Sequence, residues 1–198
     1  MLLSTLESWN ELMDFSVSLI ACGGTALTLL GWKESTKDID LILPKEREHE
    51  RFIRFLDKIG YEQSTMTKWI HPGQPQIIFD LFKGNRVYTT DLLNSPLESG
   101  MNIEIHKIKR IYLGVLNPYD LVITKMARGS QVDVEDCMAV VINAEIDPRR
   151  LLSRYKETAS YSPFAPQMKT KLSYLMVRMK DAGFDIIEME EDYEQWQP

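Results

Sequence analysis

Residues 23–43 read GGTALTLLGWKESTKDIDLIL, and the run that closes them, Asp38-Ile39-Asp40-Leu41-Ile42-Leu43, decides the fold. A strand alternates its faces with period two, so Asp38 and Asp40 point one way while Ile39, Leu41 and Leu43 point the other. Two like charges then stand side by side on a strand whose other face is apolar. Neighbouring carboxylates repel and resist ionising together unless something positive lies between them. The run predicts a strand over 38–43 that needs a cation.

Working outward, FSVSLIAC (15–22) is an apolar, β-branched run expected as a central strand that ends at Gly23-Gly24. TALTLLG (25–31) reads as a short helix closed by Gly31, and Pro44 stops the strand at 38–43. KEREHERFIRFLDKIGY (45–61) carries apolar residues at 52, 53, 55, 56 and 59 under a charged remainder, the pattern of a surface helix ended by Gly60. PQIIFDLF (75–82) is a second apolar strand with one acid, Asp80, embedded in it, and IEIHKIKRIYLGVL (103–116) reads as one or two more strands. At the N-terminus an amphipathic helix is expected, with Leu2, Leu3, Leu6, Trp9, Leu12 and Met13 inward. This order predicts an α+β domain over residues 1–116, a small mixed β-sheet flanked by helices.

From Asn117 the pattern turns helical. Asn117 suits an N-cap and Pro118 the first helical position, with Leu121, Val122, Met126 and Ala127 inward before Gly129. Residues 132–144, 147–159 and 165–184 are three further helical candidates, giving a helical subdomain over 117–187 and an acidic tail over 188–198. Residues 181–198 hold seven acids and no Lys or Arg, which leaves 22 of the 29 acids against 23 bases elsewhere. The net charge of −6 is thus mostly a tail, read as a solvated end. The near-neutral body neither demands nor excludes nucleic acid. No apolar run approaches the roughly 20 residues of a membrane span, and the N-terminus lacks the basic flank of an export signal, so no membrane partner and a cytoplasmic location are expected. Cys22 and Cys137 sit in apolar surroundings and read as buried, reduced thiols.

Asp38, Asp40 and Asp80 are hard oxygen donors in strand contexts, and that set suits Mg²⁺ or Mn²⁺ together with substrate phosphate oxygens. Two such ions roughly 3.5 to 4 Å apart can stabilise both the attacking and the leaving oxygen of a displacement at phosphorus. Gly23-Gly24, between a strand and a helix, lets a phosphate approach backbone amides closely, and Thr25 can add a hydroxyl. His49, His71 and His106 have no ligand-like spacing with one another or with the cysteines, and neither a Gly-x-Ser-x-Gly elbow nor a Walker-type loop is present. His106, Lys107, Lys109 and Arg110 read either as a basic strip for an RNA acceptor or as a strand edge protected by lysines.

Residues 17–82, with Gly23-Gly24, Asp38-x-Asp40 and Asp80, resemble the nucleotidyltransferase superfamily related to DNA polymerase beta. That resemblance implies that Asp38 and Asp40 hold two metal ions, that Asp80 completes the triad and helps activate an acceptor hydroxyl, and that Gly23 and Gly24 receive an NTP's triphosphate. LNPYDLVITKMARGSQVDVEDCMAVV (116–141) is similar to the downstream segment of the AbiEii-type nucleotidyltransferases, which include toxins of toxin-antitoxin pairs. There it implies that Lys125 and Arg128, three apart on one helix face, neutralise phosphates, with Asp133 and Asp136 as additional site residues. Where many relatives place an arginine before the Asp-x-Asp strand this chain has Lys33, Glu34 and Lys37, and Val132 stands where a basic residue often precedes the second helix's first Asp. The implied activity is transfer of a nucleoside monophosphate from an NTP to a hydroxyl of RNA, protein or a small molecule, in a toxin-antitoxin or phage-defence setting that can include a cognate partner protein. The alternative is a nucleotide-binding or regulatory protein that keeps the fold without turnover.

Overall fold

The structure is a computed structural model that describes residues 2–198. The chain divides into two compact units, one running up to Arg86 and including Asn94–Asn117, the other comprising Val87–Leu93 and Pro118–Pro198. Residues 87–93, expected inside the sheet domain, thus go with the helices.

The first unit contains helix α1 (Leu2–Leu12), strand β1 (Val17–Ala21), helix α2 (Gly23–Leu29), strand β2 (Asp38–Leu43) and helix α3 (Glu46–Lys58). Strands β3 (Glu62–Gln63), β4 (Lys68–His71) and β5 (Gln74–Lys83) follow, and, after the two-stranded ribbon β6 (Arg86–Val87) and β7 (Thr90–Asp91), of which Val87 and β7 fall in the second unit, the hairpin β8 (Asn102–Lys107) and β9 (Ile111–Leu116). Seven strands make one mixed sheet in the order β3-β4-β5-β2-β1-β9-β8. β2 runs parallel to β5 and β1 parallel to β9, while β1–β2, β3–β4, β4–β5 and β8–β9 are antiparallel. The strand over 38–43 has the expected bounds, and its period-two pattern sends Ile39, Leu41 and Leu43 to the same side of the sheet as Phe79 and Leu81 of β5.

An aromatic core marks that side. Trp9 of α1 packs edge-on to Phe52 at 5.4 Å and Tyr61 at 5.6 Å, and its centroid lies 4.9 Å from Phe79. The buried stripe of α1 is Leu6, Trp9 and Asn10, continued by Met13, which is a 3.6-residue period. Leu3 and Leu12, expected inward, are 40% and 64% exposed, and Asn10 takes the inward place instead. It is tolerated there because its Oδ1 accepts from the Arg110 backbone amide at 2.9 Å and its carbonyl accepts from Arg110 Nη1 at 3.0 Å.

The second unit holds α4 (Pro118–Arg128), α5 (Gln131–Asn143), α6 (Pro148–Ser160), α7 (Ala165–Asp181) and α8 (Ile187–Glu194). α4 begins at Pro118 and is buried continuously from Asp120 to Met126, so two acid–base pairs must be satisfied inside it. Asp120, 1% exposed, accepts a fork from Arg154 of α6, with Nε at 2.7 Å and Nη2 at 2.8 Å. The Lys171 ammonium of α7 donates to the Ala127 carbonyl, and the Tyr155 hydroxyl of α6 to the Met168 carbonyl of α7.

The acidic end is a correction. Residues 188–198, expected as a solvated tail, form helix α8 and a docked C-terminus. Ile186, Met189 and Trp196 are buried, the Tyr193 hydroxyl donates to the Lys169 carbonyl, and Lys169 Nζ donates to the Trp196 carbonyl at 2.6 Å while lying over the Tyr193 ring. Four large apolar or aromatic side chains at 186, 189, 193 and 196 repeat at helical spacing under the acids, and their burial outweighs the solvation of the charged face. Among the described residues no helix is long and apolar enough to cross a membrane.

Candidate active site

The face of β2 opposite the aromatic core carries Asp38 and Asp40. The parallel register sets Asp40 of β2 directly against Asp80 of β5, and the antiparallel register sets Asp80 against Lys68 of β4. Strand periodicity on β2 and sheet registry across three strands thus bring the expected acids to one patch. Asp80 is fully buried, Asp40 is 8% exposed, and the Asp38 side chain is 29% exposed at the patch's open side.

A cation stands among them. Lys68 reaches across β5 and donates to Asp38 Oδ2 at 2.5 Å, with Asp80 Oδ2 at 3.9 Å. The Asp38 hydrogen bond raises the Lys68 ammonium above the ordinary lysine range, against a smaller desolvation effect, and the charges of Asp38, Asp80 and Asp40 add to it. Sequence reading missed Lys68. The signal that points to it is the Pro72-Gly73 turn, which makes β4 and β5 a hairpin, yet the register shifts between Ile70 and His71, from His71↔Gln74 to Ile70↔Ile78. Counting back from the turn therefore puts Lys68 opposite the wrong residue.

The glycine turn lies against the same acids. Gly23 adopts φ +55°, and a Cβ there would meet Asp40 Oδ2 at 2.5 Å; on Gly24 it would meet Thr36 Oγ1 at 2.5 Å. Any other residue at these positions would push into the acid patch or its rim. Thr25, expected to offer its hydroxyl to a phosphate, is 3% exposed. Its Oγ1 donates to the Asp38 carbonyl at 3.2 Å and accepts the Asp40 amide at 2.8 Å. A hydroxyl has one proton, and this one is spent pinning α2 to the acid strand. Thr36, not singled out from the sequence, also donates to the Asp38 carbonyl, at 3.1 Å.

The patch suits a hard divalent cation: carboxylate oxygens only, on adjacent strands, beside a turn kept bare of side chains. Among the described residues no three His, Cys, Asp or Glu side chains already converge as a metal centre. The Lys68 ammonium lies among the acids of the patch.

The downstream residues belong to the helical unit. Lys125 is 6% exposed and donates to Asp136 at 2.7 Å, with Asp133 at 3.9 Å. Arg128 forks Asp133 through Nε at 2.7 Å and Nη2 at 2.5 Å. Asp133 also accepts the Ser130 amide at 3.0 Å while the Ser130 hydroxyl caps the Asp133 amide, a capping box that starts α5. Burial pushes the Asp133 carboxyl up, but the bonds from Arg128 and Ser130 outweigh it and hold it below the ordinary aspartate range. These four side chains, implied as phosphate ligands and their neighbours, are mutually engaged by ion pairs inside their own unit, with Lys125 buried and the Arg128 side chain exposed. Of the basic strip, His106 and Lys107 lie on the edge strand β8, and Arg110 binds α1.

Comparison with known proteins bears on the whole fold. Two solved structures of the antibiotic-resistance factor ANT(2'')-Ia are similar: a crystal structure in complex with adenylyl-2''-tobramycin, at 12% identity and TM-score 0.52 over 80% of this chain and 92% of that one, and a solution structure, at 12% identity and TM-score 0.51 over 80% and 87%. At that identity the likeness is one of fold. No curated protein matches the chain. The family described as "Nucleotidyltransferase of unknown function (DUF6036)" matches residues 2–182, and with that span, covering the acid strands, the glycine turn and four of the five C-terminal helices, the chain belongs to this family of nucleotidyltransferases.

Proposed function

We propose that the chain transfers a nucleoside monophosphate from an NTP to an acceptor hydroxyl with the help of Mg²⁺ or Mn²⁺, at the patch formed by Asp38, Asp40 and Asp80. The observation that carries this reading is the register that aligns Asp40 with Asp80 on neighbouring strands, with Gly23 close enough to Asp40 that only glycine fits. Asp38, Asp40 and Asp80 would hold the ions. When bound, two such ions supply charge stabilisation to the attacking and leaving oxygens of the displacement.

The remaining work falls to this chain's residues. Gly23 and Gly24 present backbone amides at the start of α2, which have no intrahelical partner and can donate to phosphate oxygens at close range. Asp80, shielded from water, accepts a hydrogen bond from the acceptor hydroxyl and orients it for attack. Thr25 and Thr36 both hold the Asp38 carbonyl and so fix the rim of the patch. Rigid positioning of this kind is the main contribution a protein makes to phosphoryl-type transfer. Lys125 and Arg128 are ion-paired within the helical unit, Lys125 buried beside Asp136 and Arg128 exposed beside Asp133, and a phosphate role for them is a further point for test. For the acceptor, the tobramycin adduct named for ANT(2'')-Ia makes a small-molecule sugar hydroxyl a class to test beside RNA and protein hydroxyls.

The experiment is incubation of the chain with Mg²⁺ or Mn²⁺ and each α-labelled NTP, with RNA, lysate protein or an aminoglycoside as acceptor. Wild type is expected to transfer label and Asp40→Asn to lose nearly all transfer. An Asp40→Asn variant that keeps most of the rate sinks the mechanism, and nucleotide binding without any transfer supports a silent nucleotide-binding protein instead.

A further inference from the structure

We infer that Lys68 is a built-in competitor for the divalent cation: its ammonium claims the Asp38 and Asp80 oxygens, and it must withdraw before an ion can take them. The inference rests on the metal-dependent reading of the patch. Three features carry it. Lys68 lies directly opposite Asp80 in the hairpin register, so the backbone delivers the ammonium to the acids. The ammonium touches Asp38 Oδ2 at 2.5 Å and lies 3.9 Å from Asp80 Oδ2, so it and an ion on those oxygens would be two cations within a few ångström, a repulsive arrangement. Finally, the way out is open. The Lys68 side chain is 33% exposed, it follows the loop at residues 64–67 whose Met66 is 93% exposed, and its four-carbon stem lets the ammonium swing into water without moving the strand.

A lysine that serves as a phosphate ligand would leave intrinsic metal affinity untouched and strengthen only nucleotide binding. A competitor does the opposite: it weakens the first ion. It also keeps two adjacent carboxylates compatible in a half-buried patch, which other metals or stray cations would otherwise be drawn to neutralise.

The test is Mn²⁺ titration of the full chain, followed by electron paramagnetic resonance of the free ion, at fixed ionic strength and without nucleotide. Lys68→Met is expected to bind Mn²⁺ about tenfold or more tightly than wild type, since removing a unit positive charge this close relieves a strong repulsion. Lys68→Arg, which keeps the charge, is expected to stay within about threefold of wild type. Lys68→Gln gives a second neutral side chain, with circular dichroism confirming the fold. Unchanged or weaker Mn²⁺ binding in both neutral variants, or equal tightening by Lys68→Arg, overturns the inference while leaving the metal reading intact, provided that Asp40→Asn abolishes the wild-type binding. Absence of any Asp40-dependent Mn²⁺ binding in wild type and in Lys68→Met overturns the metal reading and the inference together.

Discussion

Replacing Gly23 by alanine separates backbone strain from damage to the site, because Gly31 offers a matched control. Both glycines have positive φ, +55° and +74°, where a Cβ costs roughly 1–2 kcal/mol. The neighbours differ. At Gly31 nothing lies within 4 Å of the added Cβ, whereas at Gly23 it would sit 2.5 Å from Asp40 Oδ2. Ordinary contact begins near 3.4 Å, so the Asp40 carboxylate would have to retreat by about 1 Å, and Thr25, bonded to the Asp40 amide, resists a shift of the strand as a whole. A displacement of that size at a reacting centre costs on the order of 100-fold in rate. Gly31→Ala is therefore expected to lose about 1–2 kcal/mol in urea unfolding from the backbone strain alone, and Gly23→Ala at least as much, since the clash with Asp40 adds to the same strain. Only Gly23→Ala should also lose about two orders of magnitude in labelled-nucleotide transfer and weaken Mn²⁺ binding. If the two variants transfer label within a few-fold of each other, Asp40 is not held against the turn as the geometry requires, and its part in the site falls with that.

Three further outcomes follow from the helical unit. Arg154→Met strips a buried Asp120 of its forked counter-charge and should destabilise by about 3–5 kcal/mol in chemical unfolding, with Asp120→Asn/Arg154→Met regaining at least half of it; a double variant no better than the single would mean the pair is not coupled. Asp133 has its carboxyl held low by Arg128 and Ser130, so its stabilisation is fully present above the unfolded aspartate value near about 4 and is lost as pH falls through the lower folded value. Asp133→Asn should flatten that acid limb of helical unfolding, and an unchanged limb would show that the Arg128 fork contributes nothing. Trp196→Ala should cost about 3 kcal/mol because the ring is buried against Tyr155 and Tyr193, where a solvated tail would register within about 0.5 kcal/mol.

What was legible in the sequence, and what was not, follows the range of the forces involved. The strand at 38–43 and the shared face of Asp38 and Asp40 are consequences of period-two geometry, which needs only local residues, and the helices of the C-terminal third announce themselves through Pro118, Pro148 and their apolar spacing. The two-residue strands β3, β6 and β7 left no pattern, since pairing over so short a span is decided by the partner strand and not by the segment's own residues. Composition misled at the C-terminus, where seven acids concealed an apolar stripe that only helical spacing reveals. Burial of Asn10 in place of Leu12 depended on Arg110, a hundred residues away. The acid patch shows the same division most sharply. Two adjacent aspartates on a strand state that a positive charge is required, and that demand is local. Which charge meets it is set by a register shift in a hairpin on the far side of β5, so Lys68 could be found only once the strands were paired. The sequence therefore poses an electrostatic question that has two physical answers, the ammonium of Lys68, which the fold brings to Asp38, and the divalent ion of the proposed reaction. If both claim the same oxygens, as proposed, their competition makes the affinity of this patch for metal a tunable quantity, set by one lysine on a flexible four-carbon stem.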